Sequence, residues 1–414
     1  MPDVEQSFDN LPNTWKKVAL GEAAHFSTGG GAPQGGSYFQ CGKHPFVRVQ
    51  HFDGTEKYLR RWDLITDEAV KDYRLKLFPK ETILFPKSGA SIYLEKRTKL
   101  PFDAYVVGHL CCVQPSSGVH GDFLFFLLRL LRFSHAVDGS TLPYLNLNQL
   151  QERLIPLPPL PEQRKIAAVL GLVQQAIEQQ EQLLALTTEL KKALLHHLFT
   201  HGLRGEPQKQ TEIGPMPLSW EVKPLGDLVV DAPHVNMRSE SLRIIRYIDV
   251  SSISREFLRI ESTASYVLKD APGRARKKII EGDVIFATVR PTLLRVARIA
   301  REFDNQVCST AFCVLRDKNT KTCGRFIYYL LQRERFVRQL AAIESGASYP
   351  AVTDRQVKAQ PVPVPKDEEQ LEIAQVLEAC DAKINMHASK TRMLTALFRT
   401  LLQQLMTAQI RVDD

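Results

Sequence analysis

The segment from Ile155 to Thr200 opens IPLPPLPEQRKIAAVLGLV and closes LKKALLHHLFT. Pro161 stands where a first helical turn begins, a place where its missing N–H costs nothing. Glu162 follows with a charge that the helix dipole favours. Apolar residues then recur at three- and four-residue steps, at Ile166, Val169, Val173, Ala176, Leu183, Leu190, Leu194 and Leu198, the period of an amphipathic helix. Gly202 and Gly205 lie just beyond it as stop signals. Roughly 38 residues at 1.5 Å each predict a rod of about 57 Å. A rod so long, with so narrow an apolar seam, needs a partner helix.

The partner lies in the same chain. At an offset of 207, Ile155-Pro156-Leu157-Pro158 becomes Val362-Pro363-Val364-Pro365, and Glu162-Gln163 becomes Glu369-Gln370. Ile166-Ala167, Val169-Leu170 and Ile177 become Ile373-Ala374, Val376-Leu377 and Ile384, and the far end repeats as Leu401-Leu402 and Leu405. The repeat reaches further back. LPNTWKKVALGE, from Leu11, returns as MPLSWEVKPLGD, from Met216, with Trp15 matching Trp220. Each helix is therefore the C-terminal part of a larger repeated unit.

Between these anchors, short apolar runs separated by charged turns read as strands of a mixed, irregular α+β domain. FVRVQHF, ETILFPK and YVVGHLCCV in the first unit meet RIIRYIDV, DVIFATV and AFCVL in the second. Ile83-Leu84-Phe85 aligns with Val284-Ile285-Phe286, and Cys112-Val113 with Cys313-Val314, both at offset 201. GDFLFFLLRLL, from Gly121, and RFIYYLLQ, from Arg325, read as buried helices. GSTLPYLNLNQL, from Gly139, matches GASYPAVTDRQV, from Gly346, with Pro143 against Pro350. The glycines of Ser27–Ser37, STGGGAPQGGS, precede no Lys-Ser/Thr pair, so a phosphate loop is not indicated; they read as a flexible surface loop.

At 414 residues the chain has room for two to four domains. No run of 18 apolar residues suggests a membrane span, and the acidic start MPDVEQSFDN does not resemble a secretory signal. Cys41, Cys111, Cys112, Cys308, Cys313, Cys323 and Cys380 form no CxxC, as expected of a reduced, cytoplasmic protein. The formal net charge is +8, and it is unevenly spread. Lys43 to Lys99 carries 13 Lys/Arg against 8 Asp/Glu, and Arg238 to Arg301 carries 14 against 7, whereas Glu162 to Lys192 balances four against four. Basic globular units on neutral rods are the footprint of a chain touching polyphosphate at two places; a solvated basic surface gives the same counts.

The paired openings WKKVALGE and WEVKPLGD, the helix starts IPLPPLPEQRKIAAVL and VPVPKDEEQLEIAQVL, and the helix ends ELKKALLHHLFT and LFRTLLQQLMT together resemble the specificity subunits of type I restriction-modification systems. The resemblance covers essentially the whole chain. It implies two mixed α/β target-recognition domains, residues 1–155 and 205–361, alternating with two spacer helices, 156–204 and 362–414. The helices would pair as an antiparallel coiled coil about a pseudo-twofold axis. Each domain would read one half of a split, asymmetric sequence in double-stranded DNA. The helices would act as a ruler and as the dock for two modification subunits, through which restriction subunits join. S-adenosylmethionine would belong to the modification subunits, and ATP and magnesium to the restriction subunits. Two half-sites on one face of B-DNA lie about 34 Å apart, or multiples of it, within the scale of such rods.

Nothing in the chain points to catalysis of its own. There is no cofactor-binding glycine motif, no Asn-Pro-Pro-aromatic string, and no HExxH, P-loop or GxSxG. His109, Cys111 and Cys112 sit in an apolar run that reads as core. His196-His197 reads as a surface or helix-interface pair. Arg and Lys suit phosphates and guanine edges. The candidate DNA contacts are therefore Lys87, Ser88, Ser91 and Tyr93 in the loop leaving one strand, and Arg290 and Thr292 in the equivalent loop. Arg274, Arg276, Lys277 and Lys278 form a basic cluster before the second loop. Tyr144 and Tyr349, beside the two matching prolines, either pack internally or reach DNA. The remaining alternatives are a coiled-coil adaptor without a DNA role, and a self-contained restriction enzyme.

Overall fold

The computed structural model describes residues 8, 11–52, 56–138, 143–236, 242–318 and 323–412. Most of the acidic N-terminal stretch, Gly139 to Leu142 of the segment before Pro143, and Arg238 lie outside the described residues. The chain folds as two compact units, Met1–Gln182 with Ala388–Asp414, and Leu183–His387. The sequence boundaries keep each long helix whole; the compact units divide each helix between them. The first helix runs Leu160–His201 and the second Asp367–Met406.

In the first unit, strand Lys16–Ala19 pairs antiparallel with Leu154–Leu157, the strand that leads into the first helix. One four-stranded sheet has the order Ala24–Thr28, Leu110–Pro115, Ile83–Pro86, Thr98–Lys99. A second has the order Asp63–Ile65, His44–Val47, Ala104–Val106, Leu77–Phe78, with its two central strands parallel. The second unit repeats this plan. Glu221–Pro224 pairs with Pro361–Val364. Val229–Val230, Phe312–Asp317, Val284–Ala287 and Val296–Arg298 form one sheet. Ala264–Val267, Ile244–Ile248, Val307–Ser309 and Ala275–Lys278 form the other, again with a parallel central pair. The middles share little sequence but share their strand order.

The alternation of side chains along a strand sorts residues between layers. Ile83, Phe85, Cys111 and Val113 face the helices Gly121–Leu130 and Leu160–His201, while Leu84 and Cys112 face the second sheet. Val284, Phe286, Cys313 and Leu315 face the helix side of the second unit, and Ile285 and Val314 the sheet side. Two of the expected matches change as a result. Cys111, not Cys112, is the counterpart of Cys313, since Cys111 pairs with Phe85 and Cys313 with Phe286. The shared Cys-Val dipeptide suggested a register one residue off, which would turn the strand inside out. YVVGHLCCV is also two strands, Ala104–Val106 and Leu110–Pro115, in different sheets.

The expected glycine loop is held at its start. A Cβ on Gly29 would lie 2.1 Å from the Val106 carbonyl oxygen and 2.4 Å from that of Val107, so the glycine is there for a close backbone approach. Gly30 donates to the Val106 carbonyl and bridges Val107.

Both units show the helices running antiparallel. In the first, Ile166, Ala167, Leu170 and Ile177 share a core with Phe398, Leu402, Leu405 and Met406, and Arg411 reaches Glu162 at 3.2 and 3.3 Å. In the second, Leu198 and Phe199 share a core with Ile373, Ala374 and Leu377, and Lys191 pairs with Asp381 at 2.7 Å. The repeated tryptophans join strand to helix. Trp15 Nε1 donates to Glu162 and Trp220 Nε1 to Glu369, each at 3.0 Å. The next residues match too: the side-chain amides of Gln163 and Gln370 donate to the carbonyls of Pro158 and Pro365.

Glu369 also accepts from the Leu203 backbone N–H at 2.9 Å. Glu369→Ala strands the buried Trp220 indole N–H and frees the partly exposed Leu203 N–H, and is expected to destabilise the chain by on the order of 2 kcal/mol, read as a lower urea midpoint. Glu369→Gln, which keeps an acceptor oxygen, should lose less. An alanine variant with the parental midpoint would show that this bond does not hold the framework.

Candidate nucleic-acid interface

The same loop is built in both units. After strand Ile83–Pro86, Lys87 donates its N–H to the His109 carbonyl and accepts from Leu145 N at 2.8 Å. Ser88 bridges Tyr144, and Gly89 N donates to the Pro143 carbonyl at 2.8 Å. A 3-10 turn, Ala90–Leu94, follows. Ser91 Oγ donates to the Ser88 carbonyl, Ser88 Oγ lies 2.7 Å from His109 Nδ1, and Tyr93 projects to solvent.

In the second unit, Thr288 N and Oγ1 both donate to the Ala311 carbonyl, and its own carbonyl accepts from Val352 N. Val289 bridges Ala351, Arg290 N donates to the Pro350 carbonyl at 2.7 Å, and the turn Pro291–Leu293 follows with Thr292 exposed. Both proline segments thus dock on the loops, and Tyr144 and Tyr349 are exposed rather than packed inside.

The basic cluster divides by role. Ala275–Lys278 is an edge strand with a bulge between Ala275 and Lys277, a device that re-aims side chains. Arg274 is exposed, and its carbonyl accepts from Thr310 N, next to the Ala311 that holds Thr288. The structure thus brings Arg274 and the Arg290 loop to one region. Arg276 and Lys278 are half-buried. Lys277 turns inward: its Nζ donates to the Phe312 carbonyl at 2.6 Å and pairs with Asp354.

Other basic residues counted in the sequence are similarly occupied. Lys99, almost fully buried, pairs with Glu81 and Asp122; Lys57 pairs with Asp122 at 2.8 Å; Arg97 pairs with Glu95. Burial pushes the Asp122 carboxyl up, but hydrogen bonds from Lys57 and Lys99 outweigh it and leave the group below its ordinary value. The first unit's counterpart of the Ala275–Lys278 edge is Leu77–Phe78, flanked by Lys76 and Lys80. Only the shared strand order points to that stretch. His109, in a run that reads as core, is instead exposed, beside Ser88. Cys111 and Cys112 are buried on opposite faces, and burial pushes the Cys111 thiol up to about 12. Among the described residues no group of three or more His, Cys, Asp or Glu could hold a metal ion, and no helix is long and apolar enough to cross a membrane.

A family model described as the type I restriction modification DNA specificity domain matches residues 12–187 and again 217–396. The chain belongs to this family. The specificity subunit of the type I restriction enzyme MjaIX of Methanocaldococcus jannaschii is 34% identical over 203 residues, covering 47% of this chain and 46% of that protein. The MjaVIII specificity subunit of the same organism is 24% identical over 431 residues, covering 98% and 95%. The chain thus spans about half of the first relative and nearly all of the second. The crystal structure of the S subunit of a type I system from M. genitalium superposes with a TM-score of 0.63 at 15% identity, over 96% of this chain and 98% of that one; it shares the fold. This specificity subunit is therefore a DNA sequence-recognition chain of mixed α and β structure, with an internal repeat and two long helices.

The contrast between Lys277 and Arg274 gives a test in this specificity subunit. Lys277→Ala is expected to lower the melting temperature, because Asp354 loses its partner, while leaving the salt dependence of DNA binding unchanged. Arg274→Ala should do the reverse, reducing the slope of log affinity against log salt by about one. The opposite pattern would exchange their roles.

Proposed function

We propose that each unit of this specificity subunit reads one half of a split, asymmetric sequence in double-stranded DNA. The chain performs no chemistry itself and carries modification and restriction subunits to the target. The observation that supports this reading best is the loop anchored on a proline segment, present in both units on the same strand order but made from different side chains. A framework built twice with different surfaces suits two different half-sites. S-adenosylmethionine then belongs to the modification subunits, and ATP and magnesium to the restriction subunits, working together in the cytoplasm.

Mapping methylated adenines across the host genome, with and without this gene, tests the reading. Loss of one split motif is expected; an unchanged methylation pattern would favour an adaptor without a DNA role.

Two modification subunits find apolar surface on the helices. Leu172, Met393 and Leu397 are exposed in the first unit, and Leu183, Leu186, Leu190 and Met386 in the second. Exposed apolar clusters on helices mark sites of association. The double substitutions Leu172→Glu with Met393→Glu, and Leu186→Glu with Leu190→Glu, are each expected to remove one modification subunit. Native mass measurement of the assembled complex reads the stoichiometry, and two subunits retained by both variants would contradict the docking surface. Truncation before Val362 should abolish assembly, since it removes core side chains from both units.

A further inference from the structure

Arg290 has a backbone that a bulky residue avoids. Its φ is +49° and ψ +58°, in the left-handed region, where non-glycine residues are uncommon and mark a constraint. It also precedes Pro291, which favours extended backbone at the residue before it. The structurally equivalent position in the first unit is Gly89, with φ +78° and the same backbone hydrogen bond to the matching proline's carbonyl. Glycine is what this turn prefers. Folding alone therefore gives no reason for an arginine.

The side chain shows what is gained. The Arg290 guanidinium stacks over the Tyr349 ring, 4.7 Å from its centroid, and Nη2 donates to the Ser348 carbonyl at 3.1 Å. Arg290 and Tyr349 are both exposed, and no carboxylate among the described residues pairs with Arg290. An arginine stacked on a ring is held in orientation with hydrogen-bond donors still to use. The two members occur together. Tyr349 precedes Pro350, whereas the residue before Pro143 is Leu142; Tyr144 follows its proline and is not the counterpart of Tyr349. One unit has both Arg and Tyr at these positions, and the other has neither.

We infer that Arg290, held on Tyr349, is a specificity-determining residue that reads a guanine in the half-site bound by the second unit, an inference resting on the proposed function. The planar fork matches guanine O6 and N7. The first unit, with glycine at the same place, reads its half-site without that contact.

The test is selection of bound sequences from a random duplex library by the full chain in complex with its modification subunits, comparing the parent with Arg290→Gly, Arg290→Lys and Tyr349→Ala. The expected result is a motif in which one guanine of one half-site relaxes by roughly tenfold or more in Arg290→Gly, while the other half-site is unchanged. Arg290→Lys keeps the charge but not the fork and should not restore the guanine. Tyr349→Ala should weaken the same position alone. Because glycine suits the turn, Arg290→Gly should melt no lower than the parent. An intact motif with affinity reduced evenly across sequences would make Arg290 a phosphate contact and overturn the inference, as would no change at all. Should Arg290→Gly melt lower, Arg290→Lys decides alone: a relaxed guanine supports the inference and a retained one overturns it. A parent complex that selects no motif would instead remove the proposed function beneath it.

Discussion

A buried indole N–H must find an acceptor, and in both units it finds the glutamate in the first turn of a long helix. Trp15 and Trp220, each just ahead of the strand that pairs with the one leading into a long helix, donate to Glu162 and Glu369 at the same distance. The same glutamates receive a second partner from the far end of the antiparallel neighbour: Arg411 at Glu162, and the Leu203 N–H at Glu369. One carboxylate thus ties together the start of an edge strand, the long helix that the neighbouring strand leads into, and the chain just past the end of the other helix. That is why the residues around these points repeat while those between them do not.

The middle of each unit answers to a looser requirement. A sheet layered between helices and a second sheet needs apolar residues at alternate positions, not particular ones. Ile83 and Phe85 can stand opposite Cys111 and Val113, and Val284 and Phe286 opposite Cys313 and Leu315, with the same layering. Freed from identity, the loops between strands carry different residues, such as Gly89 in one unit and Arg290 in the other. Charge is subject to the opposite constraint. Lys99, Arg97 and Lys277 sit against carboxylates or carbonyls inside the fold, because a buried cation must be paired. The basic excess of the sequence is larger than the basic surface left to meet DNA.

Much of the framework was legible beforehand because its signals are local. Helical period, the proline-rich helix start and the repeated tryptophan-bearing opening survive in one dimension. The strand matches were legible only approximately, since a dipeptide such as Cys-Val does not declare which face it presents. The sequence does not show that the Gly29-Gly30 pair is held, because the backbone it touches, Val106–Val107, is far away in the chain. The loops at Lys87 and Thr288 were found from their place after an apolar run. Their anchoring by the proline segments came only from the fold, and so did the distinction between Arg274 and Lys277.

From its sequence alone this specificity subunit was determined to be an internal repeat with two long amphipathic helices, since periodicity and offset need no third dimension. Tertiary structure decided the rest: which cysteine faces which layer, which cations are used up within the fold, and that an arginine occupies a turn made for glycine. Those outcomes depend on partners distant in the chain, and a side chain's freedom to act is set by what surrounds it rather than by its neighbours in sequence.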